Sequence, residues 1–466
     1  MQGKHPGLVL LAASLGVLIA QVDTSVVNLA VKAIGADLGS TVSGMQWTID
    51  AYNLLYAALL LTAGALGDLY GRRRLFACGI ALFAAGSAIC AAAPNTAVML
   101  AGRALTGIGA ALELPMSLVL LALAYPEARA RQRALGIWAS CNGLAFIVGP
   151  TLGGLLVETV GWRSIFYLVL PLCAAALALA WRAVEESASP QGRRLDLPGQ
   201  LAAIAALGGL AFAVIEGAHL GWSSVPVLLG AALGAAGGLA FVLIEQRTQG
   251  GLVPFALFRH RPFSASLAIA GLMTFGMYAL LFLVPLYFQT LRGDAPLAAG
   301  IHLLPMPVAF FLVSQASGRI VGALGPRAAM AAGMAAMGAG ELALALVSAD
   351  TAYPAIGAAL AVVGVGLGLN TAPVNSVAVA SVPRERSGTA SGLLNTARMI
   401  GATLGVAILG AVFAHFAGQE GATQGFLPGM RAALGLGGLA ELAGAAVALG
   451  WIRRDSANPV PGARAT

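Results

Sequence analysis

One apolar stretch of about two dozen residues, long enough to cross a bilayer, holds both an arginine and a glutamate: Arg103 and Glu113, in LAGRALTGIGAALELP at 100–115. A charge at membrane depth is expensive, so such side chains face a protein interior or a wet cavity, where they pair or move an ion. At 1.5 Å and 100° per residue, the ten-residue gap sets the two roughly 15 Å apart along a helix and about 80° apart around it. They cannot pair with each other, and each needs a partner elsewhere. Asp23, in QVDTSVVN at 21–28, is the natural counter-charge for Arg103. Measured from the same side of the membrane, the two lie roughly 12 Å and 9 Å deep in their runs. An Asp23–Arg103 pair has a structural reading, an ion pair that locks two helices. It also has a coupling reading, in which a titratable acid in a cavity carries protons, and this second reading is favoured. Glu113 has no such counter-charge and is expected to meet protons or a cationic substrate.

Two further constellations read as gates. In GALGDLYGRRR at 64–74, Gly67 and Gly71 allow a tight crossing, and Asp68 precedes Arg72, Arg73 and Arg74. Anchoring at the inner face explains the arginines but not Asp68 with its glycine spacing. In VGPTLGG at 148–154, Pro150 removes a helix hydrogen bond while Gly149, Gly153 and Gly154 strip one face, so that the helix bends and packs closely on a neighbour.

The elements that position these residues are apolar spans. The chain has 466 residues, 59% hydrophobic and 10% charged, with mean hydropathy +0.86. A soluble protein carries about a quarter charged residues, so this composition marks an all-α polytopic membrane protein. The runs do not alternate as barrel strands do, and the 61 glycines suit closely packed membrane helices. Cys78, Cys90, Cys141 and Cys173 fall inside apolar runs and read as packing residues. Apolar runs of roughly 18–25 residues fall near 8–30, 46–66, 75–93, 97–123, 134–157, 164–181, 199–217, 225–244, 264–288, 298–320, 327–347, 354–380, 389–415 and 430–451. These are fourteen transmembrane helices, so both termini share a side. Most of the 26 Lys and Arg fall in the segments that an inside N-terminus makes cytoplasmic. The net charge of +7 thus reflects orientation in a lipid bilayer and not nucleic-acid binding.

At this point several motifs carry a resemblance. The 64–74 stretch resembles the cytoplasmic signature of the major facilitator superfamily, and RALTGIGAA at 103–111 is similar to that family's fourth-span motif, with Thr106 where Gln is usual. The 148–154 stretch resembles the fifth-span antiporter motif of drug exporters. The segments 22–30, WRSIF at 162–166, PLYFQ at 285–289 and ASGLLNTAR at 390–398 look like the fourteen-span drug:proton antiporter branch. Asp50 and Glu113 stand where that branch usually has neutral residues. The resemblance implies the major facilitator fold, partitioned six, two and six. An N-terminal half occupies 1–182, linkers with an inserted two-helix hairpin 183–262, a C-terminal half 263–452, and a cytoplasmic tail 453–466.

Glu341 and Glu441 lie deep in the eleventh and fourteenth runs, and whether they join in coupling is open; Glu216 is expected at an interface. Arg398, three residues past Asn395, reads as part of a packing network. No P-loop, diphosphate-binding acidic cluster or metal-ligand spacing is present. These observations point to a transporter and not an enzyme, one that needs no cofactor beyond a proton gradient. It would export amphipathic organic compounds by alternating access from the cytoplasmic (inner) membrane, as a monomer. Candidate substrate contacts are Glu113, Asn28, Trp47, Met116, Asn142 and Tyr287. The alternatives are an exporter dedicated to one natural product and a receptor of the same fold that does not transport.

Overall fold

A computed structural model describes residues 5–188, 195–248, 253–383, 386–419 and 424–452, without the side chains of 61, 128, 142, 418 and 419. Lys4, Arg193, Arg194, Arg384, the tail from 453 and the side chain of Asn142 therefore lie outside the described residues. The regular structure of the described residues is helical, without strands. In chain order the helices are α1 Pro6–Leu38, α2 Val42–Tyr70, α3 Arg72–Ala91, α4 Thr96–Ala124, α5 Ala128–Thr159, α6 Arg163–Ala183, α7 Leu197–Leu220, α8 Val225–Arg247, α9 Arg261–Thr290, α10 Pro296–His302, α11 Pro305–Ala345, α12 Tyr353–Ala380, α13 Ser387–Gln419 and α14 Phe426–Trp451. A short 3-10 turn, Phe255–Arg259, precedes α9. In lipid an unpaired backbone amide costs several kcal/mol, and a helix satisfies its own.

Local chemistry sets the helix ends. Thr41 accepts from the Gly44 amide at 3.3 Å and Asn95 from the Val98 amide at 3.0 Å, each capping the helix that follows. Gly71, at φ 106, turns the chain from α2 into α3 with no residue to spare. Gly325, at φ 79 and ψ 158, interrupts the 41-residue α11. A side chain at either position would be strained. The apolar run near 298–320 covers the end of α10 and the first arm of α11, and the run near 327–347 falls on the arm after Gly325.

By length and apolar composition, twelve described helical segments can cross a membrane; α2, bent by 60° about residue 61, makes a thirteenth. The chain is a multi-pass membrane protein. It forms two compact units, one of Met1–Ala205 with Asp294–Ile301, the other of Ala206–Gly293 with His302–Thr466. In the first, α1 packs on α2, α4, α5 and α6, while α3 lies along α4 and α6. Its core holds Phe76, Phe83, Tyr52 and Val169. In the second, α9 packs on α12, α13 and α14, and α11 on α12 and α14.

Lipid tails are as apolar as leucine, so close packing and not water exclusion holds such helices together. The α3–α4 crossing shows how. A Cβ built on Gly79, Gly86 or Gly109 would stand 2.7–2.8 Å from backbone atoms of the facing helix, so the two backbones touch. Leu228, Leu229, Leu233 and Leu239 of α8 are exposed and form an apolar surface suited to lipid.

Candidate functional site

Arg103 is the hub of the first unit. Its Nη1 donates to Asp23 Oδ2 of α1 at 2.6 Å, and both side chains are 1% exposed. Its Nε donates to the Thr48 carbonyl of α2 at 2.9 Å, and its guanidinium lies 4.8 Å from the Tyr52 ring centroid. One arginine on α4 thus engages α1 and α2 by charge, hydrogen bond and ring face together. Charges enclosed this well are screened little, and removing one partner typically costs about 3–5 kcal/mol because the other stays buried and unpaired.

The glycines that follow explain how the arginine reaches its partners. Gly107, four residues on, lies against the Tyr52 backbone, so α2 approaches α4 one turn past Arg103. Gly109 faces the other way, onto Gly79 and Phe83 of α3. Two residues turn a helix by about 200°, and the R-x-x-x-G-x-G spacing therefore serves two neighbours at once. On the α1 side, a Cβ at Gly149 would sit 2.6 Å from Ser25 Cβ, and one at Gly153 would sit 2.6 Å from Val26 Cγ1. The bare face of α5 is thus seated on the two residues that follow Asp23 and Thr24. Gly154 instead faces Pro296 and Leu297, at the start of α10.

Glu113 is completely buried, with its Cβ against Gly79 of α3. Among the described residues no hydrogen bond reaches either of its carboxyl oxygens. Asp50 and Asn53, one turn apart on α2, are also fully buried. Met116 lies against Gly67 where α4 crosses α2. Asn28 is buried and donates to the Thr24 carbonyl at 2.7 Å, while Trp47 is half-buried on α2. Tyr287 belongs to the second unit. It is buried and its hydroxyl donates to the Ser348 carbonyl at 2.7 Å, which fastens α9 to the turn before α12. The structure therefore gathers Asp23, Arg103, Asn28, Gly149 and Gly153 around α1, and Glu113 and Met116 along α4; Tyr287 has a fastening contact of its own.

The Asp68 cluster closes at the other end of α2. Arg72 donates to Asp68 at 2.8 Å, an i,i+4 pair with side chains 18% and 15% exposed. The sequence reading missed Glu186, just beyond α6. Its carboxylate accepts from the amides of Arg73 and Arg74 at 3.1 and 3.2 Å, and the Arg72 amide donates to the Ser187 carbonyl at 2.9 Å. Gly71 leaves α3 without a capping side chain, and a residue more than a hundred positions away supplies the cap. The only sequence signal was an acid next to a charged linker. Arg73 further stacks on Trp181 at 4.9 Å.

Among the described residues no group of His, Cys, Asp and Glu could hold a metal ion. The arrangement holds charged and ionisable side chains inside an apolar bundle.

Comparison with known proteins agrees with this architecture. The family described as Major Facilitator Superfamily matches residues 13–406. The chain is 39% identical to "Multidrug resistance protein Stp" of Mycobacterium tuberculosis, over 87% of this chain and 76% of that protein. It is 34% identical to "Drug efflux pump JefA" of the same organism, over 88% of this chain and 81% of that protein. Among solved structures, a peptide transporter POT in complex with sulfate superposes with a TM-score of 0.71 at 16% identity, covering 95% of this chain and 93% of that one. The match across most of the chain settles the class: this protein is a membrane transporter, not an enzyme, and belongs to the Major Facilitator Superfamily.

Proposed function

We propose that the protein exports amphipathic and lipophilic organic compounds, antibiotics among them, in exchange for protons across the cytoplasmic (inner) membrane. The observation that carries the proton reading is the buried Asp23–Arg103 pair; the drug-efflux names of the relatives support the substrate class. A proton on Asp23 cancels the charge that holds Arg103. Arg103 keeps the Thr48 carbonyl and the Tyr52 ring, and α1 is released from α4. Ser25 and Val26 then carry the shift to α5 through Gly149 and Gly153, with Pro150 as the bend. A small-molecule substrate enters the first half near Glu113 and Met116, where a cationic compound and a proton compete for the carboxylate. Asp68, Arg72 and Arg73, with Glu186, latch the cytoplasmic ends in the outward-facing state.

In this reading the chain has fourteen spans, counting α2 as one and the arms flanking Gly325 as two. Both termini are cytoplasmic, and a monomer suffices. Along the chain the 183–262 hairpin is inserted between the halves 1–182 and 263–452, and export proceeds by alternating access.

Asp23→Asn tests the reading, because it removes charge and keeps size. In proteoliposomes with an imposed pH gradient, efflux of a lipophilic cation per folded molecule should fall at least about tenfold, in line with losing one charge-assisted contact. Wild-type efflux from the variant would overturn it.

A further inference from the structure

The second unit contains a second pair of buried acids, and these face each other. Glu341 of α11 and Glu441 of α14 are both 0% exposed. A Cβ built on Gly276 of α9 would stand 2.7 Å from Oε1 of each, and 2.8 Å from Oε2 of Glu341. The two Oε1 atoms are therefore no farther apart than twice 2.7 Å. Gly437, one turn before Glu441, lies under Oε2 of Glu341. Three helices have thus brought two carboxyl groups to one point, and glycines on two of them clear the space. Among the described residues, none of the four carboxyl oxygens has a hydrogen-bond partner.

No described cation pairs with them. On α11, Arg319 and Arg327 are twenty-two and fourteen residues from Glu341, and on α14 the exposed Arg431 is ten from Glu441. On α13, which meets this point through Leu409 beside Gly437, Arg398 donates to Asn395 at 3.3 Å and its carbonyl accepts from Thr274 at 2.6 Å; His415 is exposed. On α9 the nearest titratable neighbour is Tyr278, and Arg261 begins the helix; on α12 Tyr353 reaches the His302 carbonyl at 3.4 Å. Two like charges this close, with no described counter-charge, cannot both persist at membrane depth.

We propose that Glu341 and Glu441 form a proton-binding carboxyl pair that holds at least one proton between them while α9, α11 and α14 are in contact. The ligand is a proton, and the pair titrates as one coupled site. A negative charge on both would drive α11 and α14 apart, so proton occupancy sets whether this crossing stays closed. The site is separate from Asp23–Arg103 and stands or falls without any transport measurement.

Infrared spectra of the whole purified protein in lipid nanodiscs, titrated with pH, test it through the C=O stretch of protonated carboxyls. Subtracting the E341Q/E441Q spectra from wild type should leave a signal lost in two steps, and each of E341Q and E441Q should leave one step. A difference signal of zero overturns the proposal, as do two single-variant signals that sum to the wild-type curve, which mark independent sites. Loss of the signal on adding sodium at constant pH overturns it in favour of a cation site. Glutamine copies the shape and neutrality of a protonated glutamate. Failure of both single variants to fold, read by size-exclusion chromatography, therefore overturns it too, because the fold would then require the charge.

Discussion

Two aspartate–arginine pairs of the first unit are alike in length and opposite in character. Asp23–Arg103 closes at 2.6 Å between helices eighty residues apart, with both side chains 1% exposed. Asp68–Arg72 closes at 2.8 Å within one turn of chain, with side chains 18% and 15% exposed. Distance does not separate them; surroundings do. The first pair lies where neither partner has an alternative in water, so its loss acts on the whole bundle. The second is wet, local and exchangeable, as suits a contact that opens and closes, and such i,i+4 pairs contribute about 0.3–0.5 kcal/mol. An interior pair stores a large penalty against being broken, whereas a rim pair stores little.

The contrast is sharpest at Arg103. Arg103→Met should leave Asp23 buried and unpaired and lower stability by about 3–5 kcal/mol, measured as loss of folded protein in thermal size-exclusion assays. Asp23→Asn combined with Arg103→Met should recover most of that loss while remaining inactive in transport. A single variant as stable as wild type would break the comparison.

A smaller and selective effect is expected at Glu113, buried like Asp23 but without a cation. Glu113→Gln should reduce efflux of a cationic lipophile several-fold, about 1 kcal/mol of interaction, and leave a neutral compound nearly unchanged. Efflux per folded molecule, measured for one compound of each kind, checks it; equal losses would mean that Glu113 serves the fold alone.

The smallest effect is at the rim. Glu186→Gln should cost about 0.5–1 kcal/mol as a weakened helix cap and shift spin-label distances between the ends of α2 and α6 toward the open form. Unchanged distances would remove Glu186 from the latch.

Much of this was legible in the chain. Depth along two apolar runs was enough to match Asp23 with Arg103, because helical rise is a local constant. The same constant ruled out an Arg103–Glu113 pair, and the structure leaves Glu113 without that partner. The glycine motifs announced close crossings, and the Asp68–Arg72 spacing is itself a one-turn contact. Other features had no local signal. One is the bond from the Tyr287 hydroxyl to the Ser348 carbonyl. Glu186 gave no hint that it would cap a helix 112 residues away.

The residues alone determined that the chain is helical and membrane-spanning and where its costly charges lie, because span length, periodicity and the price of charge in lipid are set by neighbouring residues. Only the tertiary structure decided which charges meet. In a bundle whose faces are all apolar, composition does not say which helix lies against which, and close packing at glycines such as Gly79, Gly109 and Gly276 makes that choice. Hence Asp23 faces an arginine and Glu341 another acid, although each began as one carboxylate in an apolar run.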